Sequence, residues 1–253
     1  MLKKPSGSTI IHTRFGFKIK IDPDFDENIE KVIYERGVYE LGTVKLIQSL
    51  LKSGDLFIDV GANIGFLSMV GAVSVGKKGE VIAFEPVPST YAILKENKSL
   101  NKMNNLQLNS FALGSKNENV LIYEETNNRG GASIAIKRSE NDGIPVEVKR
   151  LDELILDRPV QLIKIDVEGL ELEVLKGGEQ LIRKDHPALI VEYSESRVEE
   201  GALDMFNWLK DLGFYEFYKL KKGKERKSKL VKVISKTGGL PEHDNIICLP
   251  KDK

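Results

Sequence analysis

The 253-residue sequence has few of the residues that form covalent or metal cross-links. It contains one cysteine, Cys248, and three histidines, which excludes an internal disulfide and argues against a zinc-type ligand cluster. Its 38 basic and 38 acidic side chains cancel, so net charge provides no long-range attraction to nucleic acid or to an anionic membrane.

Long apolar runs are also missing. No uninterrupted run reaches the roughly 18 residues that a membrane-spanning helix needs. The opening residues, MLKKPSGST, have two lysines but lack the apolar core of a signal peptide. We therefore expect a soluble, cytoplasmic protein. Its 253 residues are enough for one large α/β domain or for two small domains.

From residue 55 onward, apolar strand patterns alternate with helical patterns. Strands are predicted at 55–60, 80–85, 106–111, 160–166, 188–193, 214–219 and 244–249, and helices at 64–75, 88–103, 170–184 and 201–212. A polar insert with shorter strand candidates at 118–123 and 145–150 separates the third strand from the fourth. This alternation predicts an α/β fold with a Rossmann-like, seven-stranded, mostly parallel sheet and helices on both faces.

The first 54 residues have a different pattern. A strand is predicted at 14–21 and helices at 26–37 and 39–54. We interpret residues 1–54 as a cap over the binding site or a dimer element, and residues 55–253 as the binding and catalytic domain.

A glycine-containing turn, 59-DVGANIG-65, follows the first strand of that domain. A dinucleotide fingerprint would need glycines at positions 63 and 66, where this chain has Asn63 and Phe66. Asp59 would also repel a nearby phosphate. The turn therefore disfavours NAD and FAD, and favours a cationic nucleoside such as S-adenosylmethionine, whose ribose hydroxyls Glu85 would bind at the end of the next strand.

Several segments in the same order resemble the FkbM-type methyltransferases, a branch of the class I S-adenosylmethionine-dependent enzymes. The matching segments are 59-DVGANIG-65, 84-FEP-86, 97-NKSLN-101, 112-ALG-114, 130-GGAS-133, 151-LDEL-154, 164-KIDVEGLELEVLKGG-178 and 187-PALIVEYS-194. The resemblance implies the class I methyltransferase fold and a cofactor site that combines the glycine turn, the adenine-contacting end of the third strand and Glu40. The implied cofactor-binding residues are Glu40, Asp59, Gly61, Asn63, Gly65, Glu85, Ser110, Phe111 and Ala112.

Acidic side chains also end the fourth and fifth predicted strands. Ligands of open parallel sheets bind outside the carboxyl ends of the strands, so Asp166, Glu168 and Glu192 are candidates for the base that deprotonates an acceptor, or for groups that orient it. Lys164 needs a partner in its apolar strand, and either a structural ion pair with Asp166 or a catalytic role satisfies this need. No dedicated metal site is predicted, but these three carboxylates would hold Mg²⁺ if the reaction required it.

The sequence thus predicts an S-adenosylmethionine-dependent methyltransferase, with a small molecule or a glycan as acceptor. The resemblance favours O-methylation of a sugar, glycan or metabolite hydroxyl; N-methylation and a non-catalytic S-adenosylmethionine-binding protein are the alternatives. No nucleic-acid partner is expected, and a homodimer is one role open to the N-terminal segment. Arg129, in the glycine-rich loop 126–134, is a candidate for binding an anionic group of the acceptor. The basic run 219–232 is interpreted as a solvated loop or hairpin, or else as a contact for an anionic substrate, while His186 and His243 are interpreted as surface residues.

Overall fold

The computed structural model describes residues 7–125, 128–133, 143–194, 201–233 and 240–251. The described part of the chain begins with a hairpin of β1 (Thr9–His12) and β2 (Lys18–Ile21), followed by helices α1 (Glu30–Arg36) and α2 (Leu41–Leu50). The predicted strand 14–21 therefore starts later than expected, and β1 was not predicted. Within the described helices, none is long and apolar enough to cross a membrane.

The next section alternates strands and helices, as the sequence predicted. It comprises β3 (Leu56–Val60), α3 (Phe66–Val75), β4 (Glu80–Phe84), α4 (Pro88–Asn101) and β5 (Leu106–Asn109). An insert of four strands follows: β6 (Ala112–Leu113), β7 (Glu118–Glu125), β8 (Asn128–Ser133) and β9 (Ile144–Lys149). These four strands form a small sheet of their own in the order β6-β9-β7-β8.

The chain then returns to the main sheet. The remaining elements are β10 (Val160–Ile165), α5 (Glu171–Gly177), α6 (Glu179–Asp185), β11 (Ala188–Ser194), α7 (Ala202–Asp211), β12 (Tyr215–Leu220), β13 (Leu230–Lys232) and β14 (His243–Pro250). The helix predicted over 170–184 is two short helices that meet at Gly178.

The main sheet confirms the predicted fold class. Its order is β13-β12-β14-β11-β10-β3-β4-β5, and the five strands from β11 to β5 are parallel. β14 lies antiparallel between β11 and β12. All seven predicted strands are present, and the short β13 extends the edge to eight strands among the described residues.

Neighbouring residues of β3 face opposite sides of the sheet, and helices cover both sides. Phe57 packs in a core cluster with Met69 of α3, while Ile58 packs in a second cluster with Val174 of α5 and Leu209 of α7. Burial on both faces explains why β3 is apolar at nearly every position.

Two asparagines of α4 attach the N-terminal hairpin to this domain. The Asn97 side chain accepts a hydrogen bond from Lys20 N (2.6 Å) and donates to the carbonyl oxygens of Lys20 (3.3 Å) and Ile64 (3.0 Å). The Asn101 side chain accepts from Lys18 N (2.7 Å) and donates to Lys18 O (2.6 Å). These amides pair with the backbone of β2 in place of a neighbouring strand, so the segment 97-NKSLN-101 has a structural role.

We expect Asn97→Ala to lower the free energy of unfolding by about 1–3 kcal/mol, because it leaves the buried carbonyl oxygen of Ile64 and the part-buried backbone groups of Lys20 without their partner. Urea denaturation of the purified protein measures this change. Asn104→Ala, which removes an exposed asparagine just after the same helix, is the control and should change stability by no more than about 0.5 kcal/mol. Equal effects of the two substitutions would contradict the anchoring role of Asn97.

Candidate functional site

A cavity of about 320 Å³ lies at the carboxyl ends of β3, β4, β10 and β11. Its lining combines the glycine turn, the end of β4, the acidic ends of β10 and β11, and parts of the N-terminal segment and the insert. The lining residues used below are Asn28, Ile29, Tyr39, Asp59, Gly61, Asn63, Phe84, Glu85, Ala112, Ile122, Arg129, Lys164, Asp166, Glu168, Glu192, Lys224 and His243.

The turn after β3 is held tightly against its neighbours. The N–H groups of Gly61 and Ala62 both donate to Phe84 O, at 3.0 and 2.9 Å. Gly61 has φ of 82°, and a Cβ at this position would lie 1.8 Å from Asp166 O. Glycine is therefore required at position 61 both by the left-handed conformation and by the close approach of the Asp166 backbone, which directly follows β10.

Glu85 links this turn to the start of α4. Its Oε2 accepts from Asn63 N (2.8 Å) and its Oε1 from Val87 N (3.0 Å). Asn63 has φ of 51°, an unusual conformation for a residue other than glycine. A carboxylate oxygen can accept more than one hydrogen bond, so Glu85 can hold the turn and still bind a diol in the cavity.

Asp59 is a buried carboxylate at the base of the cavity. Its Oδ2 accepts a 2.5 Å hydrogen bond from Ser68 Oγ, whereas its Oδ1 has no hydrogen-bond partner among the described residues. Burial raises the pKa of Asp59, although Lys164 and Ser68 oppose that change. A buried acceptor without a partner costs free energy, which a cationic or donor ligand would recover.

Lys164 and Asp166 form an ion pair, which was one of the two roles that the sequence left open for Lys164. Lys164 Nζ lies 3.0 Å from Asp166 Oδ2, and the lysine side chain is only 4% exposed. Burial alone would raise the pKa of Asp166, but Lys164 and the more distant Lys224 hold it well below the usual carboxyl range. Asp166 is therefore ionised across the physiological pH range.

Glu192 has a different protonation state from Asp166. Burial and the neighbouring negative charge of Asp166 raise the pKa of Glu192 to about 8, although Lys224 opposes this change. Lys224 Nζ lies 2.9 Å from Glu192 Oε1, and His243 Nε2 lies 3.6 Å from the same oxygen. A carboxyl group that ionises near neutral pH is suited to accept a proton.

The three carboxylates suggested for Mg²⁺ do lie together. Oxygens of Asp166, Glu168 and Glu192 are within 4.8 Å of one another. Lysine ammonium groups already contact two of them, because Lys164 pairs with Asp166 and Lys224 pairs with Glu192. A cation would therefore have to compete with these two lysines, and binding of Mg²⁺ stays an untested alternative.

Most of the predicted site residues line this cavity. Of the nine cofactor-binding candidates, Glu40, Gly65, Ser110 and Phe111 are outside the lining. Glu40 contacts Lys224 (3.1 Å), Gly65 packs against Leu94, and Phe111 packs edge-on against the lining residue Phe84. Ser110 is exposed, and its contact with adenine stays a prediction.

Several lining residues were not predicted as site residues from the sequence, and three of them have titratable side chains. Tyr39 was not considered, and Lys224 was considered only as part of the basic run 219–232. His243 is exposed, as predicted, but it also lines the cavity beside Glu192. The basic run 219–232 does form a hairpin, as predicted, but Lys224 points inward from it. No sequence signal separates Lys224 from the other lysines of that run.

The N-terminal segment and the insert meet at the outer side of the cavity. Arg129 Nε lies 2.6 Å from Glu30 Oε1, and its guanidinium group lies over the Phe25 ring at 4.1 Å. Arg129 N also donates to Asp26 Oδ2 (3.2 Å). Arg129 was a candidate for binding an anionic group of the acceptor, but here its guanidinium group pairs with Glu30 of the protein itself. Of the loop 126–134, residues 126–127 and 134 lie outside the described residues.

Comparison with known proteins assigns the family. The model of the methyltransferase FkbM domain matches residues 59–215, more than half of the chain. The chain belongs to the FkbM methyltransferase family. The match begins at Asp59 of the glycine turn and includes Asp166 and Glu192, so most of the cavity lining lies within the family domain. The sequence-based assignment is confirmed, and it places the chain among the methyltransferases with a class I methyltransferase fold.

Individual relatives are more distant. The 2-O-methyltransferase NoeI of Sinorhizobium fredii is 26% identical, covering 72% of this chain and 79% of the relative. The hexuronic acid methyltransferase AglP of Haloferax volcanii is 29% identical, covering 64% and 65%. A solved structure, methyltransferase FkbM from Methylobacillus flagellatus KT, has 20% identity and a TM-score of 0.49, covering 78% of this chain and 43% of that one. For one further relative, Methyltransferase 1 of Beauveria bassiana, the match is 28% identical and covers 47% of this chain and only 57% of the relative's length.

We expect Gly61→Ala to lower the free energy of unfolding by about 3 kcal/mol or more, because the added methyl group meets a backbone carbonyl that cannot move freely. Gly213→Ala is a matched control, since Gly213 has the same φ of 82° but nothing within 4 Å of the added Cβ. Thermal and urea unfolding of both variants separate the steric clash from the conformational cost. Equal losses would show that the contact with Asp166 O contributes nothing.

Proposed function

We propose that this protein is an S-adenosylmethionine-dependent methyltransferase that methylates a hydroxyl group of a sugar, a glycan or a small metabolite. One observation carries the proposal: a single cavity is lined by a nucleoside-type turn with Glu85 and by Glu192, a carboxyl group whose pKa lies near neutrality. The first feature suits a cofactor with a ribose, and the second suits an acceptor that must lose a proton.

The residues present fit S-adenosylmethionine. The cavity volume of about 320 Å³ falls at the lower end of the roughly 300–1,000 Å³ typical of small-molecule sites. Glu85 would accept from the two ribose hydroxyls, and Asp59 Oδ1 would accept from the amino group of the methionine part. The region near Asp59, Asp166 and Glu192 favours a cationic ligand over a pyrophosphate, because carboxylates outnumber the two lysines there.

The printed names of two relatives support methylation of oxygen on a carbohydrate. NoeI is named as a 2-O-methyltransferase and AglP as a hexuronic acid methyltransferase. Sugars carry neighbouring hydroxyl groups that carboxylates bind well through paired hydrogen bonds. Asp166 and Glu168 are therefore assigned to orienting the acceptor.

The transfer requires a proton acceptor and a fixed geometry. Bound S-adenosylmethionine would supply an electrophilic methyl group on a sulfonium. The ionised Glu192 would take the proton from the acceptor hydroxyl as the new carbon–oxygen bond forms and the methyl–sulfur bond breaks, with the bonding electrons leaving on the sulfur of S-adenosylhomocysteine. Lys164 would keep Asp166 ionised and in place. Fixing both reactants in near-attack geometry can contribute roughly 7–11 kcal/mol, and a positioned base about 10²–10⁴-fold in rate.

We assign residues 1–54 to the cap, rather than to a dimer surface. Asn28, Ile29 and Tyr39 all line the cavity. The ion pair between Glu30 and Arg129 connects this segment to the insert on the other side. A cap of this kind would exclude water from the reacting groups.

We expect Glu85→Ala to weaken binding of S-adenosylmethionine by at least about tenfold, because both ribose hydroxyls lose their acceptor. Isothermal titration with S-adenosylmethionine, S-adenosylhomocysteine and NAD measures this. Glu35→Ala, which removes an exposed glutamate of α1, should leave binding unchanged. Binding of NAD alone to the wild-type protein would overturn the proposed cofactor.

The methyl-transfer rate should rise with pH and level off above about 8, because Glu192 acts as a base only after it loses its proton. Glu192→Gln should lower kcat by about 10²–10⁴-fold while S-adenosylmethionine still binds. A panel of sugars and sugar acids, followed by mass detection of the methylated product, measures both.

Glu147→Gln, at an exposed position of β9, serves as the control. A Glu192→Gln variant with wild-type kcat would exclude Glu192 as the base. Product formed only from amine acceptors would replace O-methylation by N-methylation.

A further inference from the structure

Lys224 belongs to the turn that connects β12 to β13, and its backbone is held on both sides. Its N–H donates to Asp244 Oδ1 (3.0 Å), and its carbonyl oxygen accepts from Gly42 N (2.8 Å) at the start of α2. A Cβ at Gly42 would lie 2.7 Å from Lys224 O and 2.9 Å from Arg226 O. The turn is thus packed directly on α2, and only glycine allows this approach.

Among the described lysines of the basic run 219–232, only Lys224 lines the cavity. It is 13% exposed, and its Nζ lies 2.9 Å from Glu192 Oε1 and 3.1 Å from Glu40 Oε1. By contrast, Lys221, Lys222 and Lys227 are exposed. A lysine that is largely withdrawn from water stays charged only if nearby carboxylates compensate its lost hydration.

Glu40 is the second partner of this lysine. Its side chain is fully buried, and its backbone has φ of 45° directly before α2. Burial by itself would lower the pKa of Lys224, but Glu40, Asp166 and Glu192 together raise it. Lys224 is therefore a permanent cation that joins the N-terminal segment to the end of β11.

We propose that Lys224 is a positioning residue for methyl transfer: anchored by Glu40, it fixes the carboxyl group of Glu192 and keeps it available as the proton acceptor. This inference rests on the proposed function, and it extends it to a residue outside the matched family domain, which ends at residue 215. Glu40 thereby acts on the site through Lys224 and without lining the cavity itself.

Several charged or titratable groups face Glu192. The acidic groups among them raise the pKa of Glu192, and only a cation can oppose that rise, as Lys224 does. The groups that face Glu192 or its pair with Lys224 are Asp166 and Glu168 after β10, Lys224 of the hairpin, His243 of β14, and Glu40 and Tyr39 before α2. Removing the Lys224 charge would therefore leave Glu192 protonated to higher pH.

The test is a titration of Glu192 that needs neither cofactor nor acceptor. Carbon-13 NMR of protein labelled at the glutamate carboxyl carbon follows each carboxyl group with pH, and loss of one signal in Glu192→Gln assigns Glu192. In the wild-type protein the midpoint should be about 8. In Lys224→Gln, whose side chain can still donate a hydrogen bond but has no charge, the titration midpoint of Glu192 should rise by about one pH unit or more. Lys224→Arg should restore it, and Lys227→Met is the matched exposed control.

A matching kinetic effect separates positioning from a structural role. A one-unit rise corresponds to about tenfold slower turnover at pH 7 with an unchanged plateau at high pH. A structural role alone would lower the plateau or the melting temperature without moving the pH profile. Lys224→Met is the second uncharged variant if Lys224→Gln does not fold.

The outcomes distinguish this inference from the proposed function. An unchanged Glu192 midpoint in a folded, uncharged Lys224 variant overturns the role of Lys224, and so does a wild-type midpoint in the ordinary carboxyl range. Absence of S-adenosylmethionine binding to the wild-type protein would instead remove the proposed function. If the cofactor binds and Glu192→Gln is inactive, an unmoved titration counts against Lys224 alone.

Discussion

The site depends on two lysines placed among carboxylates, of which Lys164 is buried and Lys224 is largely buried. Lys164 pairs with Asp166 at 3.0 Å, and Lys224 pairs with Glu192 at 2.9 Å and with Glu40 at 3.1 Å. Without these cations, so many acids in one cavity would raise one another's pKa and become neutral. With them, Asp166 stays ionised while Glu192 has a pKa of about 8. Two carboxyl groups in one cavity thus have different protonation states near neutral pH.

The glycine turn shows how backbone packing creates the cavity. Gly61 lets the β10 turn approach so closely that no side chain fits between them. Glu85 then fixes Asn63 and the start of α4 through backbone N–H groups. The Glu85 carboxylate, which is suited to bind a ribose, is therefore already ordered by hydrogen bonds to the protein. This order reduces the loss of conformational entropy when a ligand binds.

The outer side of the cavity is formed by chain segments that lie far apart in sequence. Arg129 of the insert reaches Glu30 of α1, and Asn97 of α4 holds β2 in place. The family match starts only at residue 59, yet Asn28, Ile29 and Tyr39 line the same cavity. The N-terminal segment is thus a structural part of the site.

Much of this could be read from the sequence, because the relevant signals are local. The apolar strands, the turn at 59–65, Glu85 and the acidic strand ends each depend on a few neighbouring residues. The order of the strands, with β14 antiparallel between β11 and β12, was not predicted. Tertiary structure alone decided which lysine of 219–232 enters the cavity, that His243 lies beside Glu192, and that Arg129 pairs with Glu30. Such contacts join residues that lie between 32 and 99 positions apart in the sequence. Protonation states depend on burial and on neighbouring charges, which no local sequence pattern contains.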